Sequence, residues 1–521
     1  MFLNMKPMGW PAVMLTAALL LLALPVPAQL PTLGDHSDMS LSAERKLGDR
    51  IAREIYHDPD YVNDPVLSEY LQGIWAPLLA AAQLRGELTP EMAERYAWVT
   101  LLIRDRSVNA FALPGGYMGV HLGLMGLVAS RDELASVLAH EISHVTQRHI
   151  SRLSTQQARN MPWIIGAMVL GALAASKSPN AAGALITGGQ AAAIQSQLNF
   201  SRDMEREADR IGFNVMTQAG YQPQGFVSMF EKLQQSSRLN DNGTYPYLRS
   251  HPLTTERIAD MQSRVGAGAV QVITSSSQAL GHAMLAARAR VLADPGVDAL
   301  QAWVDEASSP QFRELAPHRQ VAALYAAAMV AAKSRDFPKA QSKLQGLMLQ
   351  VKADAAASRT AKLLGVELAL QEGEPRRALV LLGVDPAIER LPRPELMLLS
   401  QAVQRLPVSA SGQPLLVSTL QRIQTWVTQN PSDAEAWHEL AQLASASGQP
   451  LRALRAQAEV QAVKYDYPGA LDRLKAAQEF ARQKGLGNQA GDYIDASIID
   501  TRLRQLEVQI KEASREQALQ R

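Results

Sequence analysis

With 521 residues, of which 47% are hydrophobic, the chain has enough apolar material for more than one packed domain. Its formal net charge of +1 indicates neither a nucleic-acid partner nor a general attraction to acidic membranes. Because the chain contains no cysteine, it has no disulfide, no thiolate zinc site and no lipid anchor on a cysteine thiol.

The N-terminus has the pattern of a secretory signal peptide. Lys6 supplies the positive charge, and residues 12–24 form an apolar core that is too short to span a membrane comfortably. Val26 and Ala28 stand at the −3 and −1 positions of a cleavage site, so residues 1–28 are predicted to be removed after Ala28. An uncleaved anchor is the alternative. In the first case we expect a soluble mature protein in the exported compartment.

Residues 40–95 are predicted to be mainly helical, and three short strands follow at 97–103, 109–113 and 117–122, with a Gly-Gly turn before the third. Three strands predict a small mixed sheet. An open edge strand of such a sheet can bind an extended peptide by strand addition, and a buried strand with no binding role is the alternative. The candidate edge-strand residues for substrate binding are Tyr117, Met118, Gly119 and Val120.

The sequence H-E-x-x-H at residues 140–144 lies in a predicted helix. Ser130, with Glu133 three residues later, forms a capping box that marks the start of this helix. Apolar residues then recur at helical spacing. Because His140 and His144 are four residues apart, both imidazoles project from one face, where they can reach a single zinc ion at about 2.0–2.1 Å.

A zinc site with two histidines needs a third protein ligand. The best candidate is Glu205, and Asp209 shares its face on a second predicted helix, where it could orient a histidine ligand. Taken alone, residues 201–209 are equally compatible with an ordinary charged helix face. Glu141 stands beside the histidines as the general base for an attacking water. His149 does not have the spacing of the third histidine of a metzincin.

Two apolar runs lie between the two predicted metal-site helices, at residues 162–175 and 181–193. Both are too short to span a membrane. One interpretation of residues 162–193 is an amphipathic lid, or a surface that contacts lipid peripherally or an unfolded client. Two ordinary packed helices are the alternative.

The C-terminal half has the pattern of helical repeats. Residues 265–278 contain glycines and three consecutive serines and are predicted to be a linker. Similar short motifs then recur at 336–340, 373–378 and 448–453. A helix, a turn and a second helix, with small residues where helices cross, is typical of tetratricopeptide repeats, which stack to bury their faces. A generic array of helical hairpins is the alternative, and residues 465–521 are predicted to cap the stack.

These motifs together resemble those of the HtpX-type gluzincin peptidases. The shared elements are residues 140–144, Glu205 with Asp209, residues 109–116, which are similar to the segment before the family's substrate-binding edge strand, and Ser250-His251-Pro252. The resemblance implies one zinc ion per chain. It places His251 near the zinc, either stabilising the oxyanion or occupying the open metal position in a resting state. Arg257 is a candidate for contact with the same region.

A signal peptide before these motifs and helical repeats after them narrow the resemblance to periplasmic members of the family that act as protease and chaperone. This implies that the clients are unfolded or misassembled outer-membrane proteins. It also implies that the repeat domain binds the barrel-assembly machinery.

We therefore expect an α+β zincin-like metalloprotease domain at 29–264, with helices and a small mixed sheet. A linker at 265–278 and an all-α tetratricopeptide-repeat solenoid at 279–521 should follow. The expected protein is an exported zinc metalloendopeptidase that degrades misassembled outer-membrane proteins and assists their assembly. A non-proteolytic assembly chaperone and a scaffold with structural zinc are the alternatives. Glu141 argues against both, because neither needs a general base.

Overall fold

The computed structural model describes residues 39–156, 202–239, 245–265, 276–383, 391–406, 413–484 and 490–519. The predicted signal peptide and residues 162–193 lie outside these described residues. The helices described up to residue 265 are α1 Leu41–His57, α2 Pro65–Leu84, α3 Pro90–Arg95, α4 Leu122–Leu127, α5 Arg131–Thr146, α6 His149–Gln156, α7 Arg202–Gln218, α8 Gln224–Leu239, α9 Tyr247–Ser250 and α10 Thr255–Val265. The strands are β1 Tyr61–Val62, β2 Val99–Ile103, β3 Ala110–Leu113 and β4 Tyr117–His121.

The four strands form one small mixed sheet in the order β1-β2-β4-β3, which confirms the predicted kind of sheet. β2 and β4 are parallel, and the two outer pairs are antiparallel. Because successive strand residues face opposite sides, Leu101 and Tyr117 pack with α1, while Met118 and Val120 join the core that contains α2 and α5. Helix α5, which carries residues 140–144, therefore packs on one face of the sheet, and α1 packs on the opposite face.

The prediction that Tyr117 to Val120 form an edge strand is wrong. β4 is hydrogen-bonded on both sides, to β2 and to β3, and all of its residues are buried. Its backbone groups are already paired, so β4 cannot add a peptide strand. On this side of the sheet, the outermost strand in the described part of the chain is β3.

The remaining described chain is helical. Its elements are α11 Ser276–Leu292, α12 Val297–Glu306, a short 3₁₀ helix Pro310–Glu314, α13 Pro317–Lys333, α14 Phe337–Val351, α15 Ala355–Glu372, α16 Pro375–Leu382, α17 Arg393–Gln404, α18 Gln413–Gln429, α19 Ala434–Ala446, α20 Pro450–Val463, α21 Tyr467–Lys484 and α22 Ala490–Leu519. Within the described residues, no helix is long and apolar enough to cross a membrane.

Four turns between consecutive helices share one backbone geometry. Each has a residue with positive φ: Arg335, Gly373, Gly448 and Tyr465. The next amide donates to the carbonyl five residues earlier, as in a Schellman motif. Five residues after each turn residue comes a buried alanine, at Ala340, Ala378, Ala453 and Ala470. Three of these turns are the predicted repeat motifs. Sequence reasoning missed the fourth, at Tyr465, although Arg335 also occupies this turn position without being a glycine. The tetratricopeptide assignment itself stays a prediction.

The C-terminal helices pack directly on the part of the chain described up to residue 265. α17 contacts α2, α11 contacts α4, and one hydrophobic cluster contains residues from both halves. Arg288 of α11 is buried between Asp64, which caps α2, and Glu367 of α15, at 2.7 and 2.6 Å. Helix α2, which contacts α5, is therefore held in place by contacts from the C-terminal half. Within the predicted linker, α10 ends at Val265 and α11 begins at Ser276.

Candidate metal centre

Helix α5 presents the two histidines of the H-E-x-x-H motif to one point. The side chain of Ser130 accepts a hydrogen bond from the Glu133 amide, which is one half of the predicted capping box, while the Glu133 carboxylate accepts from the amide of Ala129 rather than of Ser130. One turn apart, His140 and His144 are buried and their Nε2 atoms are 3.0 Å apart. The spacing read from the sequence therefore does bring both imidazoles together.

Helix α7 crosses α5 at close range and brings a carboxylate to the histidines. A Cβ at Gly212 would stand 2.9 Å from the His140 amide nitrogen, so glycine is needed where the two backbones meet. The two oxygens of Glu205 lie 3.5 Å from His140 Nε2 and 3.5 Å from His144 Nε2. The close crossing thus makes Glu205 a candidate third ligand.

Most separations between the candidate ligand atoms are close to those around a tetrahedral zinc ion. The candidates are His140 Nε2, His144 Nε2, the Glu205 carboxylate and His251 Nδ1, all of them buried. Bonds of about 2.0–2.1 Å in a tetrahedron place neighbouring ligand atoms about 3.3–3.4 Å apart. The separations from His140 to His144, Glu205 and His251, and from His251 to Glu205, range from 3.0 to 3.5 Å. This donor set, two or three imidazoles and one carboxylate, suits zinc.

The two histidines of α5 have opposite pKa shifts. Burial lowers the pKa of His144 well below its usual value, and the neighbouring His140 adds to this effect. Burial also opposes a charge on His140, but hydrogen bonds to Asp209 and Glu205 outweigh it and raise its pKa to about 9. Because zinc needs a neutral imidazole as its ligand, metal binding at His140 would release this proton.

Asp209 and Arg257 stand behind the ligands. An Asp209 oxygen lies 2.8 Å from His140 Nδ1, on the side of the ring away from the ligand cluster. The Arg257 guanidinium donates from Nε and Nη2 to the two Asp209 oxygens at 2.6 and 2.8 Å, and its Nη1 lies 2.8 Å from Glu205. Burial would raise the pKa of Asp209, but Arg257 and His140 together lower it. Arg257 therefore holds both carboxylates in place and helps to keep Asp209 ionised.

His251 lies between the ligand carboxylate and the candidate base. Its ring stacks on Tyr247 at 4.7 Å between ring centres, in a short segment that Pro252 follows. Nδ1 is 3.0 Å from Glu205 Oε1, and Nε2 is 3.4 Å from Glu141 Oε1. His251 can therefore act as a fourth ligand while facing Glu141.

Glu141 is held by the outermost strand on one side of the described sheet, β3. Its Oε2 accepts a hydrogen bond of 3.0 Å from the amide of Ala112, in the middle of β3. Burial raises the pKa of Glu141, although His251 and His140 oppose the shift. A carboxylate with a raised pKa is a better proton acceptor near neutral pH. The Ala112 contact also shows that the side of β3 facing away from β4 borders the site.

Sequence reasoning gave His149 no role, and the structure places it directly behind His144. Its Nδ1 lies 2.8 Å from His144 Nδ1, and its Nε2 lies 3.0 Å from Glu207 Oε2. Burial lowers the pKa of His149 to about 4. The sequence shows a histidine five residues after His144. Its contact with His144 depends on the turn at Arg148, which helical spacing cannot predict.

Comparison with known proteins agrees with this site. Residues 69–265 match the profile of peptidase family M48. The beta-barrel assembly-enhancing protease of Escherichia coli O157:H7 is 30% identical over 92% of each chain. The putative beta-barrel assembly-enhancing protease of Vibrio cholerae serotype O1 is 38% identical over 46% of this chain and 48% of its own. The mitochondrial metalloendopeptidase OMA1 of Arabidopsis thaliana is 33% identical over 32% of this chain and 31% of its own. This chain therefore belongs to peptidase family M48 and is a zinc metalloprotease similar to the beta-barrel assembly-enhancing proteases.

Proposed function

We propose that the chain is an exported metalloendopeptidase in which His140, His144 and Glu205 hold one zinc ion and Glu141 is the general base. The observation that carries this proposal is the buried cluster of ligand atoms, 3.0 to 3.5 Å apart, with the Glu141 carboxylate beside it. A purely structural zinc site has no need of such a base.

The chain's own residues position the substrate and move the proton. Zinc, when bound, supplies a Lewis acid that polarises the scissile carbonyl and activates water. Glu141 accepts the proton of the attacking water and passes it to the leaving amine. Asp209 orients His140. Because β3 is the outer strand and Ala112 points its amide toward Glu141, an extended client peptide would lie along β3 rather than along Tyr117 to Val120.

We further propose that His251 keeps the resting enzyme closed. Its ring occupies the space between Glu205 and Glu141, where the attacking water has to stand. The direction of Nδ1, toward the ligand cluster, favours a blocking ligand over an oxyanion donor in this resting arrangement. After the His251 segment moves away, the same imidazole could stabilise the oxyanion.

The clients we propose are unfolded or misassembled outer-membrane proteins, because relatives that align over 92% of their length are named for enhancing beta-barrel assembly. The protein would degrade failed clients and assist the assembly of others. Cleavage after Ala28 would release a periplasmic protein with a metallopeptidase domain at 29–264. The repeats at 279–521 would form a tetratricopeptide solenoid that binds the barrel-assembly machinery, and peripheral membrane contact through 162–193 stays a prediction.

One substitution distinguishes a protease from a non-proteolytic assembly chaperone. Glu141→Gln should keep one zinc per chain and abolish cleavage of an unfolded outer-membrane protein, because an amide cannot accept the proton. A non-proteolytic chaperone would instead complement fully with Glu141→Gln in cells that lack the protein. His140→Ala serves as the matched control, since it should lose zinc as well as cleavage. Full cleavage by the purified Gln variant would refute the mechanism.

A further inference from the structure

The two histidines of α5 are supported by different groups. His140 has the Asp209 carboxylate 2.8 Å from its Nδ1, whereas His144 has the imidazole of His149 2.8 Å from its Nδ1. We propose that His149 is a positioning residue for the metal site, which fixes the ring and tautomer of His144 and is itself fixed by Glu207. The inference rests on the proposed role of His144 as a zinc ligand.

The hydrogen-bond directions along this chain of groups are consistent. If His144 binds zinc through Nε2, its proton is on Nδ1, which then donates to Nδ1 of His149. The proton of His149 is consequently on Nε2, 3.0 Å from Glu207 Oε2, to which it donates. Arg152 holds the same Glu207 oxygen at 2.7 Å. His149 is fully buried, while Glu207 is partly exposed, so the chain runs from the metal site toward the surface.

A strained turn places His149 under His144. α5 ends at Thr146, and Arg148 has a φ of 52°, a left-handed conformation that side chains other than glycine seldom adopt. Its guanidinium offsets this strain by binding the buried Glu44 at 2.6 and 2.8 Å, and Tyr96 donates to the other Glu44 oxygen. After this turn α6 begins at His149, whose side chain lies against His144 of α5. Helix α1 therefore anchors the support of a metal ligand.

The charge of the site explains why this support is an imidazole. The two charges of a zinc ion together with Arg257 offset the three buried carboxylates Glu141, Glu205 and Asp209. A further carboxylate behind His144 would add a fourth buried negative charge to the site, and its desolvation would oppose folding. A neutral imidazole such as that of His149 accepts the same hydrogen bond without adding charge.

The test measures zinc affinity and ligand geometry in the full-length mature protein. His149→Leu should weaken zinc binding by about 10–100-fold in competition with a chelator, the usual effect of losing the partner of a ligand histidine. It should also shift the visible absorption of the cobalt-substituted protein. His149→Asn places a carbonyl oxygen near the Nδ1 position and should stay close to wild type, whereas His149→Gln, whose oxygen lies nearer the Nε2 position, should resemble the Leu variant.

His282→Leu is the matched control. His282 is also buried and bonded, to Tyr70 and to the Val128 carbonyl, but it is remote from the ligands, so its loss should leave zinc affinity and the cobalt spectrum unchanged. Failure of the wild type to bind zinc would refute the proposed function and this inference together. If the wild type binds zinc and the His149→Leu protein binds it equally well with the same spectrum, only the positioning role is refuted. If His149→Leu does not fold, equal affinities of the Asn and Gln variants overturn it.

Discussion

Arg257 offers the sharpest test of how the site is held together. The substitution Arg257→Met keeps much of the length of the apolar stem and removes the guanidinium, whose central carbon lies 5.2 Å from the centre of the Phe230 ring. In the native protein Arg257 is 3% exposed and bonds Asp209 through two nitrogens and the Pro252 carbonyl through a third, which also lies 2.8 Å from Glu205. The variant is left with two buried carboxylates that have lost their cation.

We expect a large loss of local stability in the metal-free Arg257→Met protein. Removing one partner of a buried ion pair costs about 3–5 kcal/mol, because the remaining charge is desolvated and uncompensated. Zinc supplies two positive charges to the same carboxylates, so the zinc-loaded variant should lose less than the metal-free one. Arg257→Lys keeps the charge but cannot form the two-nitrogen contact with Asp209, and we expect an intermediate loss.

Hydrogen exchange measures this loss where it occurs. The amides of α7 and α10, followed in EDTA and in saturating zinc, report the free energy of local opening without assuming that all 521 residues unfold together. Adding Asp209→Asn to the Arg257→Met protein should recover part of the loss, since the uncompensated charge is removed. A metal-free loss below about 1 kcal/mol, or purely additive effects of the two substitutions, would refute the reasoning.

Three further outcomes follow from the structure. His251→Ala should cleave an unfolded client faster than wild type at saturating zinc. A fall in initial rate, which would reach about 10²–10³-fold for loss of an oxyanion donor, would refute latency. Arg288→Met should destabilise the contact between α2 and α11 by about 3–5 kcal/mol, measured by hydrogen exchange, because Asp64 and Glu367 lose their cation. A loss of the same size in a protein that also carries Asp64→Asn and Glu367→Gln would contradict this. Burial raises the pKa of Glu435 to about 8, although Arg393 opposes it. The contribution of protonated Glu435 to stability is therefore complete below about pH 4.5 and is lost as the pH rises through 8. Each pH unit between these limits corresponds to about 1.4 kcal/mol. Glu435→Gln should accordingly raise the Tm at pH 9 and leave it nearly unchanged at pH 4.5, and equal Tm values at pH 9 would exclude the shift.

Local spacing alone determined the parts of the site that lie within one helix. Two histidines four residues apart on a capped helix must share a face, and the same holds for Glu205 and Asp209. The repeat turns could be predicted for the same reason, because a proline in the first turn of a helix favours a helix start wherever the segment is placed. At Gly373 and Gly448 a glycine also favours the end of the preceding helix. These relations need no knowledge of the rest of the chain.

Only the tertiary structure decided the relations that join distant segments. Alternating apolar residues predict a strand, but strand order depends on pairing between separate segments, so Tyr117 to Val120 could lie at the edge or, as found, in the centre. His149 supports His144 only because Arg148 adopts a left-handed turn that Glu44, more than a hundred residues earlier, stabilises. Helical periodicity describes neighbours along one axis, whereas these contacts are set by how whole elements pack, and that is decided by the complete core.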